Sequence, residues 1–583
     1  MKIDNELSEE SYREEKDTLP RMDTDVVSAR ILTDVLISQK VGGMIISPGS
    51  RNTPLIVAAS ARENLKKWIV PDERSAAFMA LGMAMVKKVP FALVCTSGTA
   101  LYNYAPAVAE AYYQQVPLIV ISADRPSEWI DQDDSQTLVQ PGALSNIVKK
   151  SFNIPVVSAT DSDKQWFVER VVNEAILLSM ANTPGPVHIN IQFSEPLGDT
   201  VRYSEQKVRK IEVIENSSPL PRHIMDMLGA ELADKRIMLT AGFLPSSEKL
   251  QKAVSNLTRL GNVTIMAETL SNLHLHQEAY CIDLPIAMLE EEESATLRPD
   301  VVISVGGALV SRMLKTYLRK VKPQEHWTLG DTKIGTDTFQ ALTRHYEVEP
   351  AAFISALAGS IGHHRRKRGL QESEFKKGWT NLKEKAQKRH AKYVESSGWS
   401  ELKALDEIFT RIPNDRNVFL SNGTVVRYAQ LSTRRLPHLS LGCRGVSGID
   451  GTNYSALGAS LAYGGRTILV TGDLSFSYAP EILNSAYMTN KLSIIVINNG
   501  GGGIFRFVKS TKHLEIREKY FCAPPHLELQ RLCKSAGLPY YMANEERHIK
   551  EKFETFLQTG GLFEIKVNPE ESAEILNNYF ILK

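Results

Sequence analysis

Cysteine is scarce in this chain: five residues in 583, at Cys95, Cys281, Cys443, Cys522 and Cys533. No two stand as C-x-x-C. That excludes a disulfide-stapled scaffold or a zinc ribbon and points to reduced thiols in a cytoplasmic protein. Long apolar runs are also missing. None approaches the roughly 18 residues of a membrane helix, and the first residues carry no apolar signal segment. Excess charge of one sign is missing too: 68 Lys and Arg stand against 67 Asp and Glu, for a net charge of +1. No bulk field therefore draws in nucleic acid or an anionic membrane. One basic run, His363–Arg368 (HHRRKR), reads as a solvated interdomain linker rather than a nucleic-acid patch, because no wider basic surface accompanies it. What remains is globular composition, 43% hydrophobic and 23% charged, at a length that suggests three or four domains.

The most informative stretch runs from Thr467 to Phe505. A β-branched run, Thr467–Val470, ends in Gly472-Asp473. A helical stretch is expected next, and then a second apolar run, Leu492–Ile497, ends in Asn498-Asn499 and Gly500–Gly503. Strand, helix, strand is the signature of a parallel sheet, and such sheets bind ligands beyond the carboxyl ends of their strands. A carboxylate and an amide oxygen at neighbouring strand ends suit Mg²⁺, which takes few protein oxygens and completes its shell with ligand phosphates. The glycines let backbone approach a diphosphate closely.

Residues 1–22 are polar and read as a loose leader. From Asp25 to about 200 the chain alternates helices with strands at Met44–Ile46, Trp68–Val70, Phe91–Cys95, Val116–Ser122 and Val187–Phe193. A charged connector near 200–220 leads to a second α/β unit with strands at Ile237–Thr240, Val263–Met266 and Val301–Val305, and a third unit runs from about 400 to the end. The first and third units repeat one another. Tyr104-Ala105-Pro106 recurs as Tyr478-Ala479-Pro480, an offset of 374 from 104 to 478, and the same offset carries Ser47 onto Ser421, Gly98 onto Gly472 and Asp124 onto Asn498. The fold class is therefore α/β: three doubly wound parallel-sheet domains at 23–200, 215–360 and 395–583, the outer two related by duplication. The copies have diverged. The third holds Asp473 and Asn499; the first instead has Glu73 at a helix start.

Asp473 and Asn499, each at a strand end, resemble the cofactor motif of thiamine diphosphate-dependent enzymes. With Ser47–Arg51 (SPGSR), Asp72–Arg74, Ala123–Pro126, Arg444–Gly451 (RGVSGIDG) and Gly472–Ser475, almost the whole chain is similar to one family of these carboligases. That family belongs to menaquinone biosynthesis and makes 2-succinyl-5-enolpyruvyl-6-hydroxy-3-cyclohexene-1-carboxylate. The resemblance implies a pyrimidine-binding domain, a middle domain and a diphosphate-binding domain, in that order. It implies decarboxylation of 2-oxoglutarate on thiamine diphosphate and addition of the resulting succinyl-semialdehyde carbanion to isochorismate. It makes Glu73 the catalytic residue, at a ring nitrogen of the cofactor. Asp473, Asn499 and Gly501 would hold Mg²⁺ or Mn²⁺. Gly423, Ile449, Gly472, Leu474, Ser475, Ile504 and Phe505 would line the cofactor, with Ile449 propping its bend. Ser50, Arg51, Arg125, Gln136 and Arg312 would face isochorismate, and Arg427 and Arg444 would hold carboxylates near the reacting centre. It also implies a homodimer or homotetramer, the first domain of one subunit facing the third of another.

Leu474 stands where the general motif has Gly, Arg312 where the family often has Lys, Ser135 where Asn is common, and Gly423 where a Ser can hold the diphosphate. A different thiamine diphosphate-dependent 2-oxoacid decarboxylase or acetolactate-type carboligase would share Glu73 but not need the arginines. A non-catalytic relative acting as a binding subunit would not need Glu73, Asp473 and Asn499 intact. The strand end Gly306-Gly307 leaves a nucleotide site in the middle unit open.

Overall fold

The computed structural model describes residues 21–214, 220–273, 282–330, 336–432 and 439–581. Of the leader assigned to 1–22 only the last two residues fall in that set, and Cys281 lies outside it. The chain divides into two units, Met1–Val213 and Ile214–Lys583.

The first unit holds strands β1 (Met44–Ile46), β2 (Lys67–Ile69), β3 (Phe91–Cys95), β4 (Leu118–Asp124), β5 (Ser151–Ile154) and β6 (Val187–Gln192). They form one parallel sheet in the order β2-β1-β3-β4-β6-β5. Every residue of β3, β4 and β6 is buried. A strand covered on both faces reads as an unbroken apolar run rather than an alternating one. Helices Val27–Ser38 and Ser162–Met180 pack against one another in the main core cluster.

The second unit holds two parallel sheets. The middle one consists of β7 (Ile237–Ala241), β8 (Val263–Ala267), β9 (Val301–Val305), β10 (Glu325–Leu329) and β11 (Leu342–Tyr346), in the order β8-β7-β9-β10-β11. The other consists of β12 (Asn417–Leu420), β13 (Leu439–Leu441), β14 (Thr467–Gly472), β15 (Leu492–Asn498), β16 (Tyr540–Ala543) and β17 (Gly561–Lys566), in the order β13-β12-β14-β15-β17-β16. The two sheets of this unit are tied at their edges: Thr269 N donates to Gln430 Oε1 at 2.8 Å, and Ser440 N to Asn272 Oδ1 at 2.7 Å.

The strand order of this last sheet repeats that of the first unit. A matching polar pair closes the fourth strand of each. In the first unit Asn190 Nδ2 donates to Asp124 Oδ2 at 2.8 Å; in the second Asn498 Nδ2 donates to Glu564 Oε1 at 2.6 Å. The offset of 374 carries Asp124 to Asn498 and Asn190 to Glu564. Acid and amide have changed places across one buried hydrogen bond, so the bond survives while either partner alone differs.

Two sequence expectations need correction. The helix expected after Asp473 is one short turn, Asp473–Phe476, and a 3₁₀ turn, Pro480–Asn484; Pro480 can start a helical turn but not continue one. The basic run His363–Arg368 is not a linker. It forms the last turns and cap of helix Pro350–Lys367, where the helix dipole favours cations. Arg365 Nη1 donates to Ala233 O at 2.7 Å, Arg368 Nη2 donates to Ala230 O at 2.8 Å, and His364 lies 2.9 Å from Asp226. The run thus staples this helix to Arg222–Leu232. At the Gly306-Gly307 strand end, the Gly307 N–H donates to Phe243 O at 2.8 Å.

The first unit contains a buried ion cluster. Arg62 donates to Asp23 Oδ2 at 2.9 Å, to both oxygens of Asp34 at 2.5 and 2.8 Å, and to Ala58 O at 2.8 Å. Removing one member of such a cluster leaves buried charge uncompensated. Arg62→Ala should therefore lower stability by about 3–5 kcal/mol, read as the first-unit transition in urea unfolding followed by circular dichroism.

Candidate functional site

In the first unit the candidate residues gather at the carboxyl ends of β1, β3 and β4. Asp72 caps helix Glu73–Lys87 by accepting from Ser75 N at 3.1 Å. This sets Glu73 on the first turn, where the helix dipole favours a carboxylate. Glu73 is half-buried, and its Oε2 accepts from Asn103 Nδ2 at 3.2 Å. It opens onto a cleft of about 510 Å³ lined by Thr96–Ala100, Asn103 and Gln136–Leu138. Gln136, with φ of 55°, is held by a loop that Arg125 anchors: Arg125 Nη2 donates to Ser135 O at 2.7 Å and Nη1 pairs with Asp134 at 3.0 Å. Arg51 is buried, donates to Phe193 O at 3.3 Å and pairs with Glu195 at 3.1 Å. Desolvation, and then the nearby Arg125 charge, hold its guanidinium below the ordinary value; Glu195 and Asp134 oppose them. Ser50 is exposed at the same strand end.

In the second unit the strand ends of β12, β14 and β15 converge. Asp473 is buried; its Oδ1 accepts from Leu474 N at 2.7 Å and its Oδ2 from Gly501 N at 2.8 Å. Ser475 Oγ donates to Ile449 O at 2.7 Å, binding the Gly472–Ser475 turn to the Arg444–Gly451 loop. Asn499 is buried, its Nδ2 donates to Glu401 Oε1 at 2.7 Å, and its Oδ1 has no partner among the described residues. Arg506 donates to the carbonyls of Asn499 and Gly500, both at 3.1 Å, and pairs with Glu518 at 2.7 Å. Burial pushes the Asp473 and Glu401 carboxyls above the ordinary range. Backbone N–H groups oppose this at Asp473, Asn499 and Thr424 oppose it at Glu401, and the Asp473 charge pushes Glu401 further up. The Gly501 carbonyl accepts a turn bond from Gly503 N at 2.7 Å. Ile504 and Phe505 are half-buried beside this loop, Phe505 against Phe521 with centroids 5.6 Å apart.

The remaining arginines split. Arg444 Nη1 donates to Asn422 Oδ1 at 2.5 Å, and Arg427 donates to the Gly423 carbonyl. Desolvation and then Arg444 hold Arg427 below its ordinary value, with Asp283 opposing. Arg312 is exposed on the first turn of helix Arg312–Val321, whose cap Ser311 accepts from Leu314 N at 3.0 Å.

Glu401, Arg506 and Asn103 were not legible in the sequence. Glu401 follows the N-cap Ser400, where an acidic residue has an ordinary reason to be. Arg506 looks like any charge after a glycine run. The amide of Asn103 is placed only by the tertiary fold.

Comparison with known proteins places this geometry. Residues 27–144 match the family described as thiamine pyrophosphate enzyme, N-terminal TPP binding domain, and residues 427–567 match its C-terminal TPP binding domain. The chain is 36% identical over 565 residues to a 2-succinyl-5-enolpyruvyl-6-hydroxy-3-cyclohexene-1-carboxylate synthase of Porphyromonas gingivalis, covering 96% of this chain and 97% of the relative. It is 34% identical to the synthase of that name from Flavobacterium johnsoniae and 35% to that from Christiangramia forsetii, each with 95% of this chain and 98% of the relative covered.

Gly423 and Gly501 both sit in the left-handed region, at φ of 93° and 96°. A methyl on Gly423 meets open space, but one on Gly501 lands 2.1 Å from Cys522 O. Gly423→Ala should cost about 1–3 kcal/mol of backbone strain. Gly501→Ala should cost more and abolish thiamine diphosphate binding, read by thermal unfolding and by titration calorimetry.

Proposed function

We infer the activity from kinship and site together, for this chain belongs to the family of 2-succinyl-5-enolpyruvyl-6-hydroxy-3-cyclohexene-1-carboxylate synthases: it is a thiamine diphosphate-dependent transferase of menaquinone biosynthesis that joins 2-oxoglutarate to isochorismate with loss of CO₂. The coenzyme, when bound, supplies the nucleophilic carbon and the electron sink that a 2-oxo acid needs to lose CO₂.

The residue roles are part of the proposal, as is the division into a pyrimidine-binding domain at 23–200, a middle domain at 215–360 and a diphosphate-binding domain at 395–583. The donor set fits a hard divalent cation, Mg²⁺ or Mn²⁺. Asp473 brings a buried carboxylate, Asn499 a buried amide oxygen with no partner among the described residues, and Gly501 a carbonyl. Oxygen donors of this kind, few in number, leave room for phosphate oxygens and water. The orphaned Asn499 Oδ1 beside Asp473 is the observation that carries this reading, since a buried acceptor without a donor is costly unless a ligand satisfies it.

Glu73 holds a proton at a ring nitrogen of the aminopyrimidine. Gly423, Ile449, Gly472, Leu474, Ser475, Ile504 and Phe505 line the rest of the cofactor. Ser50, Arg51, Arg125, Gln136 and Arg312 receive isochorismate, and Arg427 and Arg444 receive carboxylate near the reacting centre; guanidinium matches carboxylate with two parallel N–H donors. The enzyme works as a homodimer or homotetramer in the cytoplasm, without nucleic acid or membrane.

Incubation with thiamine diphosphate, Mg²⁺, 2-oxoglutarate and isochorismate should give a product with the mass of 2-succinyl-5-enolpyruvyl-6-hydroxy-3-cyclohexene-1-carboxylate, and pyruvate should not substitute. Glu73→Gln should lower kcat by about 10²–10⁴-fold while thiamine diphosphate still binds. Equal turnover of pyruvate would favour a different 2-oxoacid carboligase.

A further inference from the structure

Behind the proposed cation cradle lies a buried acid that no motif announced. Glu401 is 3% exposed and opens the rigid helix Glu401–Arg411, which is packed through Leu402, Leu405, Ile408 and Phe409. Its backbone N–H donates to Ser572 Oγ at 3.1 Å. Its Oε1 accepts from Asn499 Nδ2 at 2.7 Å, and Asn499 is 2% exposed.

We propose that Glu401 is a positioning residue for the cation site: it locks the Asn499 amide so that Oδ1, and never Nδ2, is presented to the ligand. This rests on the reading that Asp473 and Asn499 hold a divalent cation. Glu401 Oε1 takes an amide N–H of Asn499, so the amide nitrogen is turned toward Glu401. The oxygen is then left on the other side, where it finds no donor among the described residues. The flipped amide would set oxygen against oxygen at Glu401 and direct N–H groups at a cation. One hydrogen bond therefore selects the ligating atom.

The local packing is built to keep this orientation. Arg506 fixes the backbone of the same residue by donating to Asn499 O. Gly503 closes over the amide: a methyl there would lie 2.4 Å from Asn499 Nδ2 and 3.2 Å from Glu401 Oε1. Gly503 is not in the left-handed region, so this close approach, and not its φ, is what demands glycine. Partners that orient metal ligands are typically worth about 10–100-fold in metal affinity.

The test measures Mn²⁺ binding by electron paramagnetic resonance, at fixed saturating thiamine diphosphate, together with the melting temperature of the cofactor-free protein. Glu401→Ala should weaken Mn²⁺ binding about 10–100-fold. Glu401→Gln, which can still accept through its amide oxygen, should recover part of that loss. Gly503→Ala should weaken binding in the same sense by displacing the pair. The cofactor-free melting temperature of Glu401→Gln should not fall, because the variant keeps the volume and an acceptor oxygen for the Asn499 amide. Unchanged Mn²⁺ affinity in Glu401→Ala overturns the proposal. So does a loss of affinity that follows a fall in cofactor-free stability in both Glu401 variants, which would make Glu401 part of the scaffold. Absence of Mn²⁺ binding by the unaltered protein would instead overturn the cation reading itself, and this inference with it.

Discussion

Negative charge buried at the ends of parallel strands is the constraint on which the second unit depends. Asp473 and Glu401 are both withdrawn from water, and Arg506, already shared with Glu518, is the guanidinium that acts on both. Desolvating a carboxylate costs several kcal/mol, and each of these two acids raises the burden of the other. The fold meets that burden with backbone. Asp473 takes the N–H groups of Leu474 and Gly501, and Glu401 takes a side-chain amide. Those contacts orient the acids without neutralising them, as the proposed cation site would require.

The duplicated sheets show how one scaffold yields two chemistries. In the first unit the fourth-strand acid, Asp124, is consumed internally: Asn190 and the Arg125 N–H take its two oxygens. The acid that faces the cleft of this unit is Glu73, on a helix start. In the second unit the equivalent bond is kept by Asn498 and Glu564 with the roles reversed. The next residue, Asn499, extends past the sheet and leaves an oxygen unsatisfied. Divergence has thus preserved the hydrogen bond that closes the sheet and altered the residues one step beyond it.

Much of this architecture is legible in the sequence because buried parallel strands write themselves as unbroken apolar runs: β3, Phe91–Cys95, and β9, Val301–Val305, stand where the apolar pattern puts them. The strands β5, β10, β11, β13, β16 and β17 escaped notice: β5, β11, β13 and β16 lie at sheet edges, and β10 (EHWTL) and β17 (GLFEIK) carry charged residues within the strand. The motif residues Asp473, Asn499 and Gly501 are neighbours in space, as strand ends at fixed offsets must be. Glu401 is 98 positions from its partner Asn499, and no local pattern distinguishes it from a dipole-favoured helix start. The basic run at His363–Arg368 misled for a related reason. A cluster of cations suggests solvent, yet carbonyls of a neighbouring helix can absorb them at short range.

The arginines make the same physical point with the opposite sign. Each unit holds two neighbouring guanidinium groups: desolvation and then the Arg125 charge lower Arg51 in the first, and desolvation and then the Arg444 charge lower Arg427 in the second. Arg51 pairs with Glu195 and Arg125 with Asp134, while the Asp283 charge acts on Arg427 and the Arg444 charge on Glu268. On the proposed roles of these arginines, a substrate carboxylate would relieve the repulsion within each pair. Preorganisation of this sort turns repulsion in the free protein into affinity and orientation for an anion. On that reading, an added acidic partner at either place would stabilise the fold at the expense of the reaction.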